Sequence, residues 1–176
     1  MIPPFIVIGG TCGSGKSTIA RKVAEGLGYE VCDGDDYHSE ESKDKMASGC
    51  PLNDEDRFPW LQRLVEVKNF YQQNNSNVVL ACSALKRMYR DTLIDNKTPE
   101  ECVIVILKVK REELEQRIKN RPAHFARINL LDSQLSILEL PKNEEEAKQE
   151  PNLLVVDANG SEEEVVKSIV QKLKAM

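Results

Sequence analysis

The sequence predicts an α/β fold built on a five-stranded parallel sheet with helices on both faces. Three observations carry this: five short apolar runs recur along the chain, helical stretches separate them, and a glycine-rich turn follows the first run. Residues 5–8 (FIVI) are mostly β-branched and end in Gly9-Gly10, as a buried strand leaving into a turn does. Over residues 17–27, Ile19, Ala20, Val23, Ala24 and Leu27 keep helical spacing, and Gly28 stands at the C-cap. Residues 29–32 form a weaker strand. The polar region with His38, Met46, Gly49 and Pro51 reads as short helices, and residues 60–71 as a helix opening after Pro59. Residues 78–82 and 103–107 are continuous apolar strands with a helix over 85–94 between them. A charged helix over 111–119 leads into a basic stretch ending at Arg127. The last strand is 153–156, and Ser161 with Glu164 fits a capping box for a helix reaching Lys174. Residues 143–150 (NEEEAKQE) read as a solvated helix or linker. Sheets of this type bind ligands beyond the carboxyl ends of their strands.

The 176 residues suit one domain, 1–176, and 40% hydrophobic content supports a core without covalent staples. Twenty-four basic against 29 acidic residues give a net charge of -5, which argues against a nucleic-acid binder relying on bulk charge. No run reaches the length of a membrane span, and the opening MIPPFIVIGG lacks a charged n-region and a cleavage site. Five scattered cysteines without a C-x-x-C pair read as free thiols in a reducing compartment. The expectation is a cytoplasmic protein with no membrane partner.

The strongest local signal is Gly10-Thr11-Cys12-Gly13-Ser14-Gly15-Lys16-Ser17, followed by Thr18: a full G-x4-G-K-S between a predicted strand and a predicted helix. Glycines let successive N–H groups turn inward around phosphate oxygens, and the helix directs its positive end at the same anion. Lys16 would sit on the β- and γ-phosphates, and the Ser17 hydroxyl would ligate Mg²⁺. At ordinary residue frequencies the pattern arises by chance in on the order of 1% of chains this long. It marks a nucleotide-phosphate site.

Asp33-Gly34-Asp35-Asp36-Tyr37-His38 follows the second strand, so its carboxylates should emerge beside that loop. Phosphoryl transfer to an alcohol needs a carboxylate to handle the hydroxyl and ligands for a metal. Alternation along an extended segment would send Asp33 and Asp35 to one side and Asp36 to the other. No hydrophobic strand ends in a single Walker-B aspartate; the third ends in Ser83, which favours a small-molecule or nucleotide kinase over a molecular switch.

GTCGSGKST, DGDDYH, KMASGCPLNDEDRFPWL, CSALKRMYRD, the His-Phe pair at 124–125 and LLDSQLSILELP together resemble the gluconokinase family of small P-loop kinases, related to shikimate kinase. The motifs span residues 7–157 in the family's order. The 46–61 and 82–91 blocks are far more specific than the loop. The resemblance implies the P-loop kinase fold with a small mobile lid at about 121–138, ATP and Mg²⁺, and phosphorylation of D-gluconate to 6-phosphogluconate. It also implies a common homodimeric assembly. Carried over residue by residue, Lys16, Asp35 and Arg121 are the catalytic candidates. Gly10 to Thr18 and Arg117 would bind the nucleotide, and Ser17 and Asp33 the metal. Asp35, His38, Arg57, Ser83, Lys86, Arg90 and His124 would serve the acceptor, with Arg57 on its carboxylate because a guanidinium fork suits a planar anion. Two departures stand out: Ala123 replaces a usual Gly before the His-Phe pair, and Ser133-Gln134-Leu135-Ser136-Ile137-Leu138 replaces S-Q-F-x-T-L, a change expected to affect packing more than chemistry. The alternatives are a shikimate or nucleoside-monophosphate kinase, or a non-catalytic P-loop module.

Overall fold

The computed structural model describes residues 1–176, apart from the side chain of His124. Strands β1 (Phe5–Gly9), β2 (Glu30–Asp33), β3 (Val78–Ala81), β4 (Cys102–Lys108) and β5 (Leu153–Asp157) form one sheet in the order β2-β3-β1-β4-β5. Every neighbouring pair is parallel. Parallel neighbours cannot be joined by a tight turn, so each connection must carry a crossover. Helix α1 (Lys16–Leu27) leads from β1 to β2. Helices α2 (Glu40–Ala47) and α3 (Asp54–Gln73) lead to β3, and α4 (Arg87–Ile94) to β4. Helices α5 (Arg111–Lys119), α6 (His124–Ile137) and α7 (Glu144–Lys148) precede β5, and α8 (Glu162–Ala175) closes the chain.

Central strands covered on both faces read as unbroken apolar runs, and alternate residues serve opposite cores. Ile6, Ile8, Val79 and Val105 pack with Ile19 and Val23 of α1 and Ile169 of α8. Phe5, Val7, Leu80 and Ile104 pack on the other face with Trp60, Leu61 and Leu64 of α3 and Leu93 of α4. A third cluster lies off the sheet: Leu114 and Ile118 of α5 meet Leu131 of α6, with Cys12 of the glycine-rich loop against them. All five cysteines are free thiols, and no helix is long and apolar enough to cross a membrane.

The structure moves several boundaries. Helix α3 opens at Asp54 rather than near Trp60, because Asn53 and Asp56 form a capping box six residues before Pro59. Pro59 therefore lies inside the helix, where it lacks the N–H that would bond the carbonyl four residues back. Helix α4 begins at Arg87 because Ala84 takes a left-handed φ of 47° and ends the preceding strand in a turn. Gly34–Tyr37 is a 3₁₀ turn instead of an extended segment, so strand alternation does not decide where Asp33, Asp35 and Asp36 point. The acidic stretch does hold an exposed helix, α7, but Glu150, two residues beyond it, is largely covered in an ion pair with Arg90 at 2.9 Å.

Ala123 sits at φ 57° and ψ 39° at the start of α6. A side chain in that region costs about 1–2 kcal/mol, partly offset by the lower chain entropy that alanine has relative to glycine in the unfolded state. Ala123→Gly should therefore raise the melting temperature by roughly 2 °C, as read by differential scanning calorimetry.

Candidate active site

The loop between β1 and α1 forms one wall of a cavity of about 490 Å³. Gly15 at φ 88° is the N-cap of α1, and no side chain caps that helix, so its first N–H groups are left for an anion. Gly13, at φ 83°, is held by both backbone and space: a Cβ there would stand 3.0 Å from Ile118 Cγ1. Cys12, Gly13, Gly15, Lys16, Ser17 and Thr18 face the cavity. Gly10, Thr11 and Ser14, expected with them to bind the nucleotide, do not line this cavity. The Gly10 N–H is taken by the Ser83 carbonyl at 3.1 Å, and Ser14 N–H by the Thr11 carbonyl at 3.1 Å. These three shape the loop from behind, with Ser14 reaching a second cleft on the loop's outer side beside Arg117 and Arg121.

Asp33 ends β2 level with the end of β1, since both pair with Ala81 of β3 in register. Its Oδ2 accepts the Ser17 hydroxyl at 2.7 Å, and its Oδ1 accepts the Asp35 N–H at 3.0 Å. The 3₁₀ turn then puts Asp35 into the cavity, while Asp36 stays outside it. Although 65% of the Asp35 side chain still reaches water in the open cleft, the surrounding protein raises its carboxyl pKa, with Lys16 and Arg127 pulling the other way. His38 stacks on Trp60 with ring centroids 4.2 Å apart. Burial, helped by Arg57, Arg63 and Lys43, lowers its pKa to about 4, against the opposite pull of Asp33. Asp35 Oδ1 lies 3.8 Å from His38 Nε2, but a neutral imidazole makes this no ion pair.

Arg57 and Ser83 line the same cavity. Arg57 is buried, donates Nη1 to the Leu52 carbonyl at 2.6 Å and lies 5.5 Å from the centre of the Tyr89 ring. Lys86 and Arg90 lie outside the cavity walls, contrary to their expected acceptor role. Lys86 bonds Asp54 at 3.0 Å, a carboxylate that also accepts the Tyr89 hydroxyl. Arg90 is fully buried: its Nε and Nη2 hold both oxygens of Glu150, and Nη1 bonds the carbonyls of Ala84 and Leu85. Its guanidinium thus pins the strained turn that carries Ser83. From α5, Arg117 reaches the carbonyls of Gly13 at 3.4 Å, Ser14 at 3.3 Å and Ala158 at 3.1 Å. It grips the loop from outside and lines the outer cleft, whereas Arg121 lines both that cleft and the main cavity. The His124 side chain lies outside the described residues.

Sequence reasoning assigned no such part to two residues, Trp60 and Gln134. Trp60 is buried but also faces the cavity and donates Nε1 to the Gly34 carbonyl at 2.7 Å, fixing the turn that bears Asp35. Arg127, the end of the basic stretch whose arginines could neutralise charge on transferred phosphoryl oxygens, reaches the cavity as well. Gln134 of α6 accepts the Cys12 N–H at 2.6 Å. The D-S-Q triplet was visible, but only the packing of α6 reveals what its glutamine touches.

A family model described as shikimate kinase matches residues 12–174. A Dictyostelium discoideum protein named "Probable gluconokinase" is 43% identical over 174 residues, covering 97% of this chain and 86% of the relative. The chain belongs to the gluconokinase family. "Thermoresistant gluconokinase" of Escherichia coli is 38% identical over 168 residues, covering 96% of this chain and 92% of that one. The crystal structure of a gluconokinase from Sinorhizobium meliloti superposes with a TM-score of 0.84 at 36% identity, covering 99% of this chain and 93% of that one. The P-loop kinase fold follows from this agreement.

Two outcomes follow from the gluconokinase geometry. Arg90→Met leaves the nearly buried Glu150 unpaired and frees the Ala84 and Leu85 carbonyls, so it should cost about 3–5 kcal/mol of stability in urea unfolding. For His38, the unfolded chain takes up a proton below about pH 6.5 that the folded protein refuses until about pH 4. Stability is unaffected by this residue above pH 6.5 and falls by up to about 3 kcal/mol across the window down to pH 4. His38→Gln should flatten the pH dependence of urea midpoints by that share; identical slopes would contradict a buried neutral imidazole.

Proposed function

We propose that the protein transfers the γ-phosphoryl group of ATP to D-gluconate, giving 6-phospho-D-gluconate and ADP. One observation carries the reading: Lys16, Arg57, Arg121 and Arg127 converge on a cavity whose lining holds a single carboxylate, Asp35. Such a cavity suits two anions, a polyphosphate on the loop and a small acid beyond it, with a base between them. Membership of the gluconokinase family supports gluconate as the acid.

In this reading the open N–H groups of α1 and the Lys16 ammonium hold the phosphates. Asp35 orients the 6-hydroxyl and takes its proton as the new P–O bond forms, then releases it after the product leaves. Arg121 and Arg127 balance charge on the transferred oxygens. Arg57, its plane fixed by the Leu52 carbonyl, offers its remaining donors to the gluconate carboxylate. His38 presents a neutral ring edge to the acceptor hydroxyls, Ser83 adds polar groups nearby, and His124 enters on its motif alone. Arg117 supports the nucleotide by holding the loop. Ser17 and Asp33 fit Mg²⁺: they offer hard oxygens 2.7 Å apart, and magnesium takes few protein ligands beside phosphate and water. When bound, the ion neutralises phosphate charge. The segment 121–138 serves as the lid of a single kinase domain. The family resemblance also supports a homodimer, and the five free thiols support a reducing, cytoplasmic setting.

The test is ADP release from Mg-ATP with gluconate, shikimate, glycerate and nucleoside monophosphates as acceptors. Gluconate should be used best; preference for shikimate or a nucleotide would overturn the reading. Asp35→Asn should lower kcat by about 10²–10⁴-fold with KM for ATP nearly unchanged.

A further inference from the structure

Gln134 makes one contact that nothing in the proposed chemistry uses. Its Oε1 accepts the Cys12 N–H across 122 positions of sequence. A backbone N–H is only a donor, so the carboxamide must present its oxygen to the loop and turn its Nε2, with two protons, elsewhere. Nε2 makes no hydrogen bond to the described residues. Gln134 lines the main cavity together with Lys16 and Asp35. It also lines a smaller adjoining space with Arg57, Met46 and Leu52. The carboxamide therefore stands between the phosphate loop and the arginine end of the site.

The contact depends on α6 being seated. Leu131 and Leu135, on either side of Gln134 in sequence, pack in the cluster that contains Cys12, Leu114 and Ile118. Cys12 is thus tied to α6 through its N–H by Gln134, while its side chain packs against the apolar cluster that α5 and α6 form together. A side chain tied at one end to the loop, with two donors left over in a cavity that takes a polyhydroxy acid, is suited to registering one substrate against the other.

We propose that Gln134 is a positioning residue that aligns the phosphoryl acceptor with the phosphate loop, its Oε1 ordering the loop at Cys12 and its Nε2 donating to an oxygen of the acceptor. This rests on the reading of the cavity as the gluconate site. Misalignment lowers kcat, and loss of the donor raises KM for the acceptor, whereas the nucleotide keeps its own contacts with Lys16 and α1.

Two variants separate the two ends of the carboxamide. Gln134→Leu keeps the bulk and removes both ends; Gln134→Glu keeps an oxygen for Cys12 N–H and removes the donors. Steady-state kinetics, ADP affinity by calorimetry and melting temperature are read for each. For Gln134→Leu we expect gluconate KM to rise about tenfold and kcat to fall about tenfold, the scale of one or two lost neutral hydrogen bonds. ADP affinity should fall by much less than gluconate affinity, because Arg117 still holds the loop at Gly13 and Ser14 and the nucleotide keeps Lys16 and α1. Gln134→Glu should recover no acceptor affinity relative to Gln134→Leu. Three results would overturn the proposal: unchanged kinetics in a folded Gln134→Leu protein, a loss shared equally by ADP and gluconate, or recovery of gluconate KM by Gln134→Glu. A wild-type protein that does not phosphorylate gluconate would instead sink the underlying reading, before any variant is made.

Discussion

One carboxylate ties the site together. Asp33 accepts the Ser17 hydroxyl with one oxygen and the Asp35 N–H with the other, so a single side chain sets the spacing between the phosphate loop and the acid that faces the acceptor. The bond is available because β2 and β1 pair in register with the same residue of β3, which brings the ends of three strands level. The Gly10 N–H to the Ser83 carbonyl closes the same edge from the other side. A slip of one residue in either strand pair would send each side chain to the opposite face of the sheet and separate these groups.

The loop is also held from outside. Arg117 takes carbonyls of Gly13 and Ser14, and Gln134 takes the N–H of Cys12, so α5 and α6 bond the loop backbone through both its donors and its acceptors. This matters because a loop able to surround phosphate must leave N–H groups unsatisfied, and such a segment has little reason to stay ordered by itself. The same economy governs the acceptor side. Trp60 bonds the Gly34 carbonyl and Arg90 bonds those of Ala84 and Leu85, each fixing a turn that carries a cavity residue. Much of what resembles substrate chemistry in this family's motifs is therefore support for backbone.

The limits of sequence reading fall along that line. Lys86 and Arg90 belong to a family-specific motif and carry charge, which made them candidates for the acceptor, yet each is satisfied by a distant carboxylate, Asp54 or Glu150. Partner choice across 32 or 60 residues depends on how α4 packs, and no local pattern encodes it. The alternation argument for the aspartates gave Asp35 and Asp36 their observed places for the wrong reason, because a 3₁₀ turn replaced the extended chain. The start of α3 was readable from Asn53 and Asp56, but Pro59 gave the louder signal.

By itself the sequence determined the five strands, the helices between them and the phosphate loop. These are local properties: period-2 and period-3.6 burial, the steric freedom of glycine, and a motif whose chemistry lies in its own backbone. It also determined which chemical groups were present, down to the Asp35 carboxylate and the arginines. Only the tertiary structure decided which of them share a cavity. Asp35, Arg57 and the α6 pair Arg127 and Gln134 come from three separate stretches of sequence, and their convergence follows from strand order and from the seating of α6. Strand order and helix docking are set by burial summed over the whole chain, a quantity that no short stretch of sequence contains.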